Sequence, residues 1–75
     1  MSPKTPATTK LMVNGEVTHL PDAHPTIGAL LAHLKQSPQG IAIALNGQVL
    51  PRSQWDATTL CDGQHVEIVA PFQGG

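Results

Sequence analysis

Leu11-Met12-Val13-Asn14-Gly15-Glu16-Val17-Thr18-His19-Leu20, followed by Thr26-Ile27-Gly28-Ala29-Leu30-Leu31-Ala32-His33-Leu34, is the stretch that decides the fold. An Asn-Gly pair between two apolar runs supports the positive φ angles of a tight hairpin turn, so two antiparallel strands open the domain. Pro21 and Pro25 interrupt that pattern. Thr26 then sits just before a periodic apolar run, where its hydroxyl can cap a helix. Ile27, Leu30, Leu31 and Leu34 follow the spacing i, i+3, i+4, i+7, which lays four side chains along one helical stripe. Gly28 weakens this helix by about 1 kcal/mol relative to Ala, so packing rather than propensity must hold it. Pro38 and Gly40 are the expected stop signals.

Downstream, Ile41-Ala42-Ile43-Ala44-Leu45 alternates large and small apolar residues. That is the period of a strand sending Ile41, Ile43 and Leu45 toward the helix and Ala42 and Ala44 to the opposite face. Asn46-Gly47 marks a second tight turn into Gln48-Val49-Leu50, and Pro51 keeps this short strand from continuing as a central one. After a turn at Asp62-Gly63, His65-Val66-Glu67-Ile68-Val69 alternates again, with Val66 and Ile68 inward and Glu67 and Val69 outward. The order of hairpin, helix, strand, short strand and strand is an α+β domain, one helix packed on one face of a mixed sheet of four or five strands. First and last strands flank the crossover helix and are expected to pair in the middle of the sheet. The organisation is a loose extension over residues 1–9, a folded domain over 10–70 and a flexible tail over 71–75.

Seventy-five residues suit one module, and folding a domain this small buries only about 60% of the surface of its unfolded chain. Deep internal pockets are therefore not expected, and function should reside at the surface. Four basic against five acidic residues give a formal charge of -1, which provides no long-range attraction for nucleic acid or an anionic membrane. With Trp55 and Phe72 the sole aromatics, base-stacking platforms are missing too. Cys61 is the single cysteine and fits a reducing cytoplasm better than a disulfide-stapled secreted domain. The first ten residues lack the apolar core of a signal peptide, and no segment approaches membrane-spanning length.

The interior offers little catalytic chemistry. His19, His24, His33 and His65 are scattered without paired ligand spacing, and Cys61 with His65 makes two ligands where zinc needs three or four. Cys61 reads as a small buried hydrophobe. Trp55 reads as the closure of one end of the core, and Arg52 as either a holder of an anionic group or a donor to a loop carbonyl. Gly74 and Gly75 are different: they bury no side chain, and without Cβ atoms they can thread a narrow channel. A frayed end is the competing reading.

The chain resembles the ThiS/MoaD superfamily of ubiquitin-like sulfur carriers, and within it most the thiamine-biosynthesis branch. The residues that carry the resemblance are Leu11 to Gly15, Thr26 to Leu34, Leu45 to Trp55, Leu60 to Val69 and the closing Gln73-Gly74-Gly75. They cover residues 10–75. The stretch Asn46-Gly47-x-Val49-x-Pro51-Arg52-x-x-Trp55 is the most specific and separates this branch from the molybdopterin-synthase small subunit. The resemblance implies a β-grasp fold and a carrier with no catalysis and no bound cofactor of its own. It implies that an E1-like activating enzyme uses ATP to adenylate Gly75. A sulfur donor, a cysteine desulfurase or sulfurtransferase, then forms a thiocarboxylate, which a thiazole synthase consumes. Phe72, Gln73 and Gly74 would enter the partner's channel, and Ala42, Ala44 and Val69 would form a weakly charged docking patch near the tail. Two departures are Gln64, where the family often has Asp, and Pro71-Phe72, where smaller aliphatic residues are usual. The rival functions are a molybdopterin-type sulfur donor and a plain β-grasp interaction module.

Overall fold

Asn14 and Gly15 take φ angles of 51° and 84°, and Asn46 and Gly47 take 49° and 85°. Both Asn-Gly pairs thus make the doubly positive turns that suit two-residue hairpins. The computed structural model, which describes residues 8–70, builds five strands on these turns. They are β1 (Thr9–Val13), β2 (Glu16–Leu20), β3 (Ala42–Leu45), β4 (Gln48–Leu50) and β5 (His65–Val69). One helix, α1 (Ile27–Leu34), and a short 3₁₀ segment, Arg52–Gln54, complete the described elements. The sheet order is β2-β1-β5-β3-β4. β1 and β5 are parallel, as their crossover connection requires, and the other pairs are antiparallel. The first and last strands do pair, and β5 lies at the centre.

Backbone and side-chain groups from both neighbours hold β5. On one flank, Asn14 donates its backbone N–H to the Val66 carbonyl at 2.9 Å. Its side-chain Oδ1 accepts the Ile68 N–H at 2.9 Å, and its Nδ2 donates to the Ile68 carbonyl at 3.4 Å. The amide of Asn14 therefore prolongs β1 by one more pairing after the chain itself has turned away. On the other flank, the Asn46 N–H donates to the His65 carbonyl at 2.7 Å, and its Oδ1 accepts the His65 N–H at 2.9 Å. At the start of β1, Asp62 Oδ1 accepts the Lys10 N–H at 2.7 Å, and Gly63 donates to the Lys10 carbonyl at 2.8 Å.

The Thr26 hydroxyl accepts the Ala29 N–H at 3.3 Å, so α1 is capped where the sequence predicted. Ile27, Leu30 and Leu31 are buried against Leu11, Val13, Ile43 and Val66 of the sheet, with Leu20, Leu60 and Trp55 closing the ends of the core. Every buried side-chain polar atom among the described residues has a hydrogen-bond partner. Three details differ from the sequence reading. Leu34, the fourth member of the stripe, is 38% exposed, because α1 ends there and nothing described lies over its tip. The helix stops before Pro38: Lys35 turns left-handed at φ 57°, its N–H donates to the Ala32 carbonyl, and Gln36 donates to the Leu31 carbonyl at 2.9 Å. This is a Schellman closure with lysine in the position that usually takes glycine. Thr9, assigned to the loose extension, belongs to β1 and is 2% exposed, its hydroxyl donating to the carbonyls of Asp22 at 2.7 Å and Ala23 at 3.3 Å.

An Asn14→Gly variant keeps a residue at ease with positive φ but removes both side-chain bonds to Ile68. Urea unfolding should show a loss of about 1 kcal/mol, the net worth of such contacts. Unchanged stability would mean that water replaces the amide without loss.

Candidate functional site at the end of the central strand

Val69 is the last residue of β5 and pairs with Ala42, while Ala44 pairs with Glu67. Strand alternation puts Ala42, Ala44 and Val69 on the sheet face opposite α1, so the three predicted patch residues do come together. Ala42 is exposed, Ala44 half-buried and Val69 49% exposed. The register adds two residues that sequence reasoning missed. Val49, 76% exposed, stands opposite Ala44 on β4, and Val17, 53% exposed, lies on the same face of β2. Their strands were legible as alternating runs, but which residues of the sheet they face depends on pairing. The patch is also less free of charge than expected, since Glu67 lies across from Ala44 within it.

Beyond Val69 the chain passes Ala70, the last described residue. The predicted working residues Phe72, Gln73, Gly74 and Gly75 lie outside the described residues. The other side of β5 at this end carries a groove of about 280 Å³. Its apolar wall comes from Val13, Leu34, Ile41, Ile68 and Ala70, and its polar wall from Asn14, Glu16, Thr18 and Gln36. The root of the tail thus stands between an open apolar sheet face and a groove on the helix side.

Trp55 takes the core position expected of it: it is 6% exposed, and its indole N–H donates to the Leu50 carbonyl at 2.9 Å. Arg52 makes no side-chain hydrogen bond to a loop carbonyl among the described residues; its guanidinium lies over the Trp55 ring at 5.2 Å from the centroid. The four histidines are exposed, and the described residues contain no cluster of three or more His, Cys, Asp or Glu that could hold a metal ion. No helix among them is long and apolar enough to cross a membrane.

Comparison with known proteins matches the ThiS family over residues 5–75. The chain belongs to the ThiS family. It is 36% identical over 50 residues to the sulfur carrier protein ThiS of Escherichia coli (strain K12), covering 67% of this chain and 76% of that protein. It is 35% identical over 66 residues to a thiazole synthase of Paramagnetospirillum magneticum (strain ATCC 700264 / AMB-1). That match takes in 88% of this chain but only 20% of the thiazole synthase, so the chain spans about a fifth of that relative. The crystal structure of the thiamine biosynthesis protein ThiS from Geobacter metallireducens shares the fold at a TM-score of 0.77 and 35% identity, covering 89% of this chain and 100% of the other. A solution structure of a thiamine biosynthesis protein from the same organism gives 0.71 and 38%, covering 89% and 87%. The mixed five-stranded sheet with one helix is the β-grasp fold.

Two residues read differently against this ThiS-family frame. Gln64, one of the two departures expected from the sequence, closes its own turn: its Oε1 accepts the Cys61 N–H at 2.8 Å. Cys61, expected as a buried hydrophobe, is an exposed free thiol, because that turn lies on the surface ahead of β5. It should therefore react with a thiol reagent such as DTNB in the folded state within a few-fold of its rate in denaturant. Strong protection, by orders of magnitude, would contradict the surface placement.

Proposed function

We propose that this ThiS-family chain is a sulfur carrier of thiamine biosynthesis that catalyses nothing itself and acts through the carboxyl group of Gly75. A carboxylate is a poor electrophile. An E1-like enzyme would attack ATP with it, forming the Gly75 acyl adenylate and releasing pyrophosphate. The persulfide of a cysteine desulfurase or sulfurtransferase would then displace AMP to give an acyl disulfide, and a thiol would reduce its S–S bond, becoming a disulfide itself and leaving a thiocarboxylate on Gly75. That group is a good sulfur nucleophile, suited to a thiazole synthase that builds a sulfur-containing ring. Gly74 and Gly75 suit delivery because a backbone without Cβ atoms can pass a channel that excludes other residues.

The observation that carries this reading is the anchoring of β5. The strand that leads to the tail is bonded on both flanks, and the apolar residues Ala42 and Val69 stand beside the tail root. Support for a thiazole synthase as partner comes from the relative of that name, within which a segment resembling this chain occupies a fifth of the length. The exposed thiol of Cys61 suits a reducing compartment, the cytoplasm.

Incubation with ATP, a sulfur source and the activating enzyme should raise the intact mass by the difference between one sulfur and one oxygen atom. Deleting Gly75, or fusing one residue behind it, should abolish the gain. Full conversion of either variant would refute a terminal-carboxylate carrier.

Val69→Lys tests the docking face separately. Val69 is half-exposed, so stability should change by no more than about 1 kcal/mol, while conversion by the activating enzyme falls at least several-fold. Unaltered conversion would remove Val69 from the interface.

A further inference from the structure

We propose that the groove at the root of the tail is an intramolecular seat for the Phe72 side chain. The seat would hold the tail in a docked form that exchanges with a released one.

The groove is apolar where the helix and the central strand converge: Leu34, Ile41, Ile68 and Ala70 line it, with Glu16 and Gln36 among its polar residues. Leu34 is the striped leucine that the core leaves 38% exposed, so an apolar surface is available there with no described side chain over it. The chain itself leads to this surface. Ile68 packs on the helix side of β5, and Ala70, two residues on, lines the same groove, so the alternation of the strand persists past its last pairing. Pro71 disfavours the helical region for the residue before it, which biases Ala70 toward an extended backbone. Continued by two residues, that alternation would bring Phe72, the one phenylalanine of the sequence, to the same side. Phe72 carries the largest apolar side chain of residues 71–75, and a groove of about 280 Å³ has room for a phenyl ring.

The seat is separate from the chemistry proposed for Gly75 and stands or falls without it. If both hold, seating sets the reach of the terminus. From Ala70, five residues span at most about 17 Å, whereas the three beyond a docked Phe72 span about 10 Å. A partner that needs the full length must draw Phe72 out of its groove.

Nuclear Overhauser spectroscopy on the full chain tests this without any activating enzyme. Because the sequence contains one Phe, its ring protons are unambiguous. They should show contacts to the methyl groups of Leu34 and Ile68, whose resonances should lie upfield through ring current. Phe72→Ala should abolish the contacts and return those methyls downfield, with the amide spectrum of residues 8–70 otherwise retained as evidence of an intact fold. A ring with random-coil shifts and no contact to Leu34, Ile41 or Ile68 would overturn the proposal. So would contacts seen only between differently labelled chains in a mixed sample, which would place Phe72 in the groove of a second copy.

Discussion

Everything near the tail root depends on how β5 is held. A strand at the centre of a sheet is normally secured by the backbones of its two neighbours, but here β1 turns away at Asn14, before β5 has ended. The Asn14 amide supplies the missing donor and acceptor to Ile68, and the Asn46 amide does the corresponding work at His65. An asparagine side chain presents a carbonyl and an N–H side by side, as a strand residue presents its own N–H and C=O to a neighbour, so it can stand in for one more strand residue. The positive φ of each asparagine is what allows its backbone to turn while its side chain continues the ladder. Turn formation and anchoring of the central strand are therefore one constraint, met twice.

That constraint matters because the rest of the stabilising material is thin. The core is a single layer between one two-turn helix and one sheet, and a domain of this size buries a modest share of its surface. A helix of eight residues is too short to persist alone, so its Thr26 cap and its Schellman closure at Lys35 hold it against the sheet only together with the burial of Ile27, Leu30 and Leu31. The helix ends as soon as its stripe has covered the core. Leu34 is left at the border, which is how a groove arises beside the end of β5.

The features read correctly from the sequence are those with a local cause. Asn-Gly turns, the Thr26 cap and the helical spacing of Ile27, Leu30 and Leu31 are each written within a few residues, and together they imply the central pairing of β1 with β5. What stayed hidden depends on contacts distant in sequence or on unusual backbone choices. Val49 joins Ala44 only through the register of a three-residue strand, and nothing in its own neighbours signals that. Lysine is not a residue from which a left-handed helix end is read, so Pro38 and Gly40 were the visible stops. Cys61 reads as buried because cysteine usually is; its turn, closed by Gln64, puts it outside. Asn14 and Asn46 were legible as turn formers but not as strand extenders, since that role requires a partner some twenty to fifty residues away.

Alternation through β5 divides its neighbours into two sets, and the tail root inherits both. Val69 faces the open sheet with Ala42, while Ile68 and Ala70 face the groove. Five residues span at most about 17 Å, so under the proposed carrier role a surface that guides Gly75 into a partner would lie near this end of the strand. The far end, with His65 and the Cys61 turn, is about another 13 Å away along the strand, measured as four residue steps. An enzyme that grips the sheet at Ala42 and Val69 holds the body close to the point where the tail departs. One that grips at Cys61 would have to span the length of β5 before it could use the terminus. The proposed docking beside Val69 thus draws on the same anchoring of β5 that makes the departure point well defined.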